Sequence, residues 1–146
     1  MKAITLVQPY ASLIIDKRKR IETRSWLTHY RGEIAIHAGA KVNREDCLRF
    51  GYDPDTIPRT AVLGIANLTD CVQFPHPDAP LDEYGNFEEG RYGFLLADVR
   101  EFARLVAAKG KLGLWHWHRR PPALSKDRHN AAVKAWKTRR AKATRH

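Results

Sequence analysis

Residues 61–74 hold the feature that most limits how this chain can fold. The run Ala61-Val62-Leu63-Gly64-Ile65-Ala66-Asn67-Leu68 is apolar apart from Gly64 and Asn67, and the pattern continues to about Phe74. Pro58 precedes it and Pro75 follows, so the segment reads as one long strand. Gly64 inside it marks a bulge or a bend. Shorter β-rich runs at 2–7, 20–26, 33–38, 92–99 and 103–108 are expected to be extended as well, and Gly110 and Gly113 bracket a turn into Leu114-Trp115. Helical spacing is rarer. Pro9 opens one helix, with Tyr10, Leu13 and Ile14 recurring on a face and the cations 17–20 closing it. A second spans 43–50, with Asn43 as its N-cap and Gly51 as its stop. Residues 131–142 are a third, basic candidate. Two or three helices are too few to cover both faces of a doubly wound sheet. The expected class is therefore α/β in the α+β sense: a small barrel-like array of about six strands over residues 1–118, followed by a basic extension at 119–146.

Charge divides the chain at the same place. Residues 1–118 carry 16 Lys and Arg against 15 Asp and Glu, whereas residues 119–146 carry ten against Asp127 alone. The net charge of +10 thus lies almost wholly in the last segment. A basic arm of this kind collects phosphate contacts through counterion release, with Arg119, Arg120, Lys134, Lys137, Arg139 and Arg140 as the candidates. The competing reading is a solvated tail without a specific partner. The opposite sign collects in 75–91, a proline-containing and mostly acidic loop of a length often found at functional sites.

Other classes are less compatible with the sequence. No apolar run approaches the roughly 20 residues that span a bilayer, and residues 1–7 lack the pattern of a secretion signal. The cytoplasm is the expected compartment. Cys47 and Cys71 stand in no metal-ligand spacing and read as plain thiols. His116 and His118 share a face if extended, but no third ligand accompanies them, so neither metal nor cofactor is expected.

Chemistry-bearing residues concentrate early. Gln8-Pro9-Tyr10-Ala11-Ser12-Leu13-Ile14 is followed by Lys19-Arg20-Ile21-Glu22-Thr23-Arg24-Ser25-Trp26, and then by Tyr30-Arg31-Gly32-Glu33-Ile34-Ala35-Ile36-His37-Ala38. In a strand, Glu22 and Arg24 fall on one face. Lys19 offers a point charge to a phosphate, Arg24 a planar fork. Glu22 can accept from base amino groups or hold the two cations in place. Tyr10 and Trp26 can stack on an unpaired base, worth about 1–3 kcal/mol each. The plain structural reading is an internal ion pair with core aromatics. His37 reads first as a satisfied core or rim histidine, and Ser12 has no base nearby in sequence.

These segments resemble the ASCH (activating signal cointegrator homology) family, whose hallmark is G-x-K-x-x-E-x-R. Lys19, Glu22 and Arg24 match it, and Lys17 takes the place of the glycine. If that turn requires positive φ, Lys17 is strained there. Segments 59–64 and 109–115 also resemble later parts of the family, so the likeness covers about residues 2–117. It implies a PUA-like β-barrel and a cleft for RNA or a nucleotide, lined by Gln8, Tyr10, Ser12, Lys19, Glu22, Arg24, Trp26 and His37. The wider superfamily includes ribonucleases and small amidohydrolases acting on N4-acetylated cytidine. The amidohydrolase pattern K-x-x-T meets Glu22 here in place of threonine, and a carboxylate is a poor attacking group for an amide. A metal-independent ribonuclease is the stronger catalytic alternative, with Lys19 and Glu22 as its candidate catalytic residues. A protein adaptor using the acidic loop is a further alternative. The leading expectation is RNA binding, with single strands favoured because their bases are free to stack. Oligomeric state is not readable.

Overall fold

The computed structural model describes residues 1–126. Six strands form a single sheet: β1 (Lys2–Gln8), β2 (Ile21–Arg24), β3 (Gly32–Val42), β4 (Ala61–Gln73), β5 (Tyr92–Ala107) and β6 (Leu114–His116). Two helices accompany them, α1 (Tyr10–Ile15) and α2 (Arg44–Phe50). The strand order is β2-β5-β4-β3-β1-β6, with β1 and β3 parallel and every other pair antiparallel. The α+β class and the number of strands match the sequence reading, although the sixth strand is β6, after the turn at 110–113, and not the run at 103–108. The curved array is not closed, because β2 and β6 are its two ends.

Strand periodicity explains how a run such as 61–68 can be apolar throughout. Leu63 joins a main core with Ile4, Leu6, Ile34, Ile36 and Phe94, beneath Ile14 and Ile15 of α1. Its neighbour Val62 joins a second core with Ala3, Ala35, Phe102, Trp115 and Trp117. Alternate side chains enter opposite layers, so both faces of the central strands are buried. Gly64 is required where β4 crosses β5 and α1. A Cβ there would stand 2.4 Å from the Arg100 carbonyl oxygen and 2.8 Å from Ile15 Cδ1, and the β4–β5 register shifts between Val62 and Gly64.

Helix α1 has six residues and no side-chain cap. Such a helix does not persist alone; it is held by burying five consecutive residues, 11–15. Pro9 stands at its N-cap, not in its first turn. Helix α2 is defined by its own ends. Asn43 accepts from the Asp46 amide, and Gly51 closes the helix at φ 88°. The reading that separated 92–99 from 103–108 is corrected. Both belong to the 16-residue β5, which stays paired with β4 through three register shifts. Residues 123–125 then attach to β5, through Ala103 N–H to the Ala123 carbonyl and Ser125 N–H to the Glu101 carbonyl.

Candidate functional site

The hallmark residues meet where β2 approaches β1. Strand β6 pairs with β1 only as far as Ile4. Beyond that point the Thr5 carbonyl accepts instead from the Arg24 guanidinium at 2.9 Å. Arg24 also grips Glu22 Oε2 through Nε at 2.9 Å and through its terminal nitrogen at 2.8 Å. Glu22 Oε1 faces Lys19 Nζ at 3.4 Å. Lys19 donates to the Ile21 carbonyl at 2.6 Å and lies 5.9 Å from the centre of the Tyr10 ring. The Tyr10 hydroxyl donates to Asp46, and burial together with that carboxylate raises its pKa well above the usual phenol value. Two cations thus share one carboxylate, and Glu22 Oε1 keeps lone-pair capacity because its contact to Lys19 is long.

A cavity of about 370 Å³ opens beside this cluster, lined by Thr5–Val7, Tyr10, Glu22–Arg24, Tyr84 and Arg91. The charged residues of its lining are Arg24, Arg91 and Glu22, and Glu22 is paired with Arg24. Tyr84 and Arg91 were not anticipated. They come from the 75–91 segment, whose length was the available signal. The segment is tied down locally: the Asn86 amide donates to Thr23 Oγ1 at 3.0 Å, and the Tyr84 ring packs edge-on to Phe50.

The remaining candidates lie elsewhere. Gln8 and Ser12 are buried and bonded to each other. Gln8 Nε2 donates to Ser12 Oγ at 2.9 Å and to the Pro58 carbonyl at 2.8 Å, and Gln8 Oε1 accepts from the Ser12 amide. The pair clamps the start of α1 to the 58–60 loop. Trp26 packs edge-on against Phe94 at 5.1 Å. His37 is fully buried, with Nε2 donating to the Ala108 carbonyl at 2.6 Å and Nδ1 3.1 Å from Thr5 Oγ1. That hydroxyl already accepts from Trp115 Nε1, so its own proton goes to Nδ1. Desolvation accordingly lowers the His37 pKa. Lys19 itself is 1% exposed and does not line the cleft; its charge acts through Glu22. Lys17 adopts φ 63°, the positive value the hallmark glycine foreshadowed.

Arg119 and Arg120 are exposed. Lys134, Lys137, Arg139 and Arg140 lie outside the described residues. Among the described residues no group of three or more His, Cys, Asp or Glu is placed to hold a metal, although the His116 and His118 rings stack at 5.9 Å. Nor is any helix there long and apolar enough to cross a membrane.

Fold and cluster together define a PUA-like domain of mixed sheet with an ion-paired hallmark at its open side. The model of the ASCH domain matches residues 4–106, and the chain belongs to the ASCH family, a family associated with RNA binding. It is 27% identical over 124 residues to human activating signal cointegrator 1, and 26% identical to the mouse protein. Each match takes in 77% of this chain but 21% of the relative, so the chain spans about a fifth of their length. The crystal structure of ASCH from Zymomonas mobilis has the same fold, with a TM-score of 0.53 at 21% identity over 91% of this chain and 93% of that one. A mutant of that protein superposes equally well.

Proposed function

We propose that this protein binds single-stranded RNA, or a nucleotide, in the cleft between β1 and β2. The observation that carries the reading is the shared carboxylate. Glu22 is held rigidly by two cations yet keeps Oε1 able to accept from a base amino group. Arg24 and Arg91 supply positive charge for the phosphate. Tyr84 lines the same cavity and offers a ring for stacking. The basic segment after Lys126 adds phosphate contacts without sequence preference. The cytoplasm is the compartment in which we place this activity. Binding is favoured over cleavage because Lys19 Nζ is buried and engaged by a carbonyl and a carboxylate, while Glu22 is committed to two cations. Neither is free to move a proton on a substrate.

The test is fluorescence anisotropy of labelled short RNAs at several salt concentrations, with the full chain and with a chain ending at Lys126. The shortened chain is expected to bind with a shallower salt dependence and to retain measurable affinity. Arg24→Gln in either form should weaken binding at least tenfold. Unchanged affinity in Arg24→Gln rejects the cleft. Cleavage of the RNA in chelator that disappears in Lys19→Ala rejects the binding-only reading.

A further inference from the structure

A second cavity, of about 580 Å³, lies around the corner of β1 from the first. The two share Thr5, Leu6 and Val7. They are therefore neighbours across the stretch of β1 that β6 leaves uncovered. The charged groups lining this second cavity are all of one sign: Lys41, Lys109 and Lys111, all exposed. Among the described residues none of the three enters an ion pair. Two large apolar side chains stand beside them, Val7 at 41% exposure and Leu112 at 98%. Full exposure of a leucine next to three unpaired ammonium groups gives the surface both an apolar and an anionic complement. Thr60, at the same wall, sits at φ 51°, a conformation that costs a β-branched residue about 1–3 kcal/mol. It is fixed there by Thr60 N–H to the Gly39 carbonyl and by Ala108 N–H to the Thr60 carbonyl. Those bonds tie the lysine-bearing 109–112 turn to β3.

We infer that this lysine-rimmed cavity is a second nucleotide subsite, which takes the phosphate and base adjacent to the nucleotide held at Glu22 and Arg24. The inference rests on the cleft reading above and extends its footprint past Val7. An anion with an apolar face fits the lining: phosphodiester oxygens against Lys41, Lys109 and Lys111, and a base over Val7 or Leu112. An acidic peptide would satisfy the lysines alone. The shared wall with the Glu22–Arg24 cleft favours a polymer that continues from one cavity into the next.

The test compares a ribonucleoside monophosphate with a labelled six-nucleotide RNA on the full chain. The variants are the triple substitution Lys41→Gln, Lys109→Gln and Lys111→Gln, and, separately, Leu112→Ser. The triple variant should bind the hexamer at least tenfold more weakly. Its plot of log affinity against log salt should be shallower by about 2, at roughly 0.7 per phosphate contact on a single strand. Mononucleotide affinity should stay within twofold of wild type. Leu112→Ser should lower hexamer affinity about threefold or more without changing that slope. An unchanged hexamer affinity and slope in the triple variant overturns the subsite, as does competition by polyglutamate equal to that by RNA. Loss of mononucleotide binding in the triple variant also overturns it, since the two cavities would then not be separate. The cleft reading fails by a different signature, namely Arg24→Gln binding both probes as wild type does. All of these substitutions are at exposed side chains except Arg24→Gln, whose folding is checked by the cooperative urea transition.

Discussion

Replacing Glu22 by alanine tests whether the hallmark is an obligate charge cluster. In the native protein the Lys19 side chain is 1% exposed, that of Glu22 11%, and that of Arg24 23%. Among the described residues Glu22 is the single carboxylate within ion-pair distance of either cation. Its removal leaves Lys19 buried with one carbonyl acceptor at 2.6 Å. Breaking a buried pair from one side costs about 3–5 kcal/mol, because a charge is left without compensation. Arg24 softens its part of the loss, being more exposed and keeping the Thr5 carbonyl. The expected cost is therefore near the lower end, about 3 kcal/mol. With a urea m-value of about 1.5–2 kcal/mol/M for a domain of this size, the midpoint should fall by about 1.5–2 M at unchanged slope. The stranded lysine is the stated cause, so Lys19→Met in the Glu22→Ala background should restore most of the loss. A double-mutant cycle with both single variants measures the coupling, expected at about 2 kcal/mol. The reasoning is refuted if Glu22→Ala costs less than about 1 kcal/mol, or if Lys19→Met does not rescue it.

Two further outcomes follow from single residues. Lys17 is exposed at φ 63°, where an L-residue pays about 1–2 kcal/mol that glycine does not. After the extra chain entropy of glycine is deducted, Lys17→Gly should stabilise by about 0.5–1 kcal/mol and raise the Tm by a few degrees, whereas Lys17→Ala should not. His37 has its pKa lowered from 6.5 by burial, so below pH 6.5 the unfolded chain binds the proton that the folded one resists. Its contribution to stability is therefore complete above pH 6.5 and is lost as pH falls toward the lower, folded-state value. Urea midpoints measured from pH 8 to pH 5 should fall in acid, and the part of that fall due to His37 should vanish in His37→Gln.

Local chemistry was the part of this structure open to reading from sequence. Asn43 and Gly51 bound α2 because capping is decided within a few residues. Gly64 announced the bulge because only a missing Cβ lets the Arg100 carbonyl approach so closely. Glu22 and Arg24 could be placed on one face because strand period is local too. What failed to show was decided by distant partners. Strand β5 looked like two segments because Asp98, Arg100 and Glu101 interrupt its apolar character; the backbone does break register there, with Asp98 at φ 49°, but pairing with β4 on either side and with residues 123–125 carries the strand through. Lys19 sits in a run of four cations that reads as surface, yet the fold turns this one inward beneath Tyr10. Tyr84 and Arg91 reach the cleft from a loop whose path no periodicity describes.

Arg24 joins the stability of the fold to the chemistry of the site. Strand β6 stops at Ile4, so beyond that point one edge of β1 has no strand beside it among the described residues, while its other edge stays paired with β3. A carbonyl there must still find a donor. The Thr5 carbonyl finds it in a terminal guanidinium nitrogen of Arg24, which together with Nε also holds Glu22. Because a guanidinium fills the place of a pairing strand, the gap stays open as the cavity that Tyr84 and Arg91 also line. Arg24→Lys would keep the charge but lose the planar fork, and one ammonium cannot serve both acceptors in that geometry. Substitutions at Arg24 should therefore lower urea stability and RNA affinity together. Those at Lys41, Lys109 and Lys111, which bond to no structural group among the described residues, should separate the two.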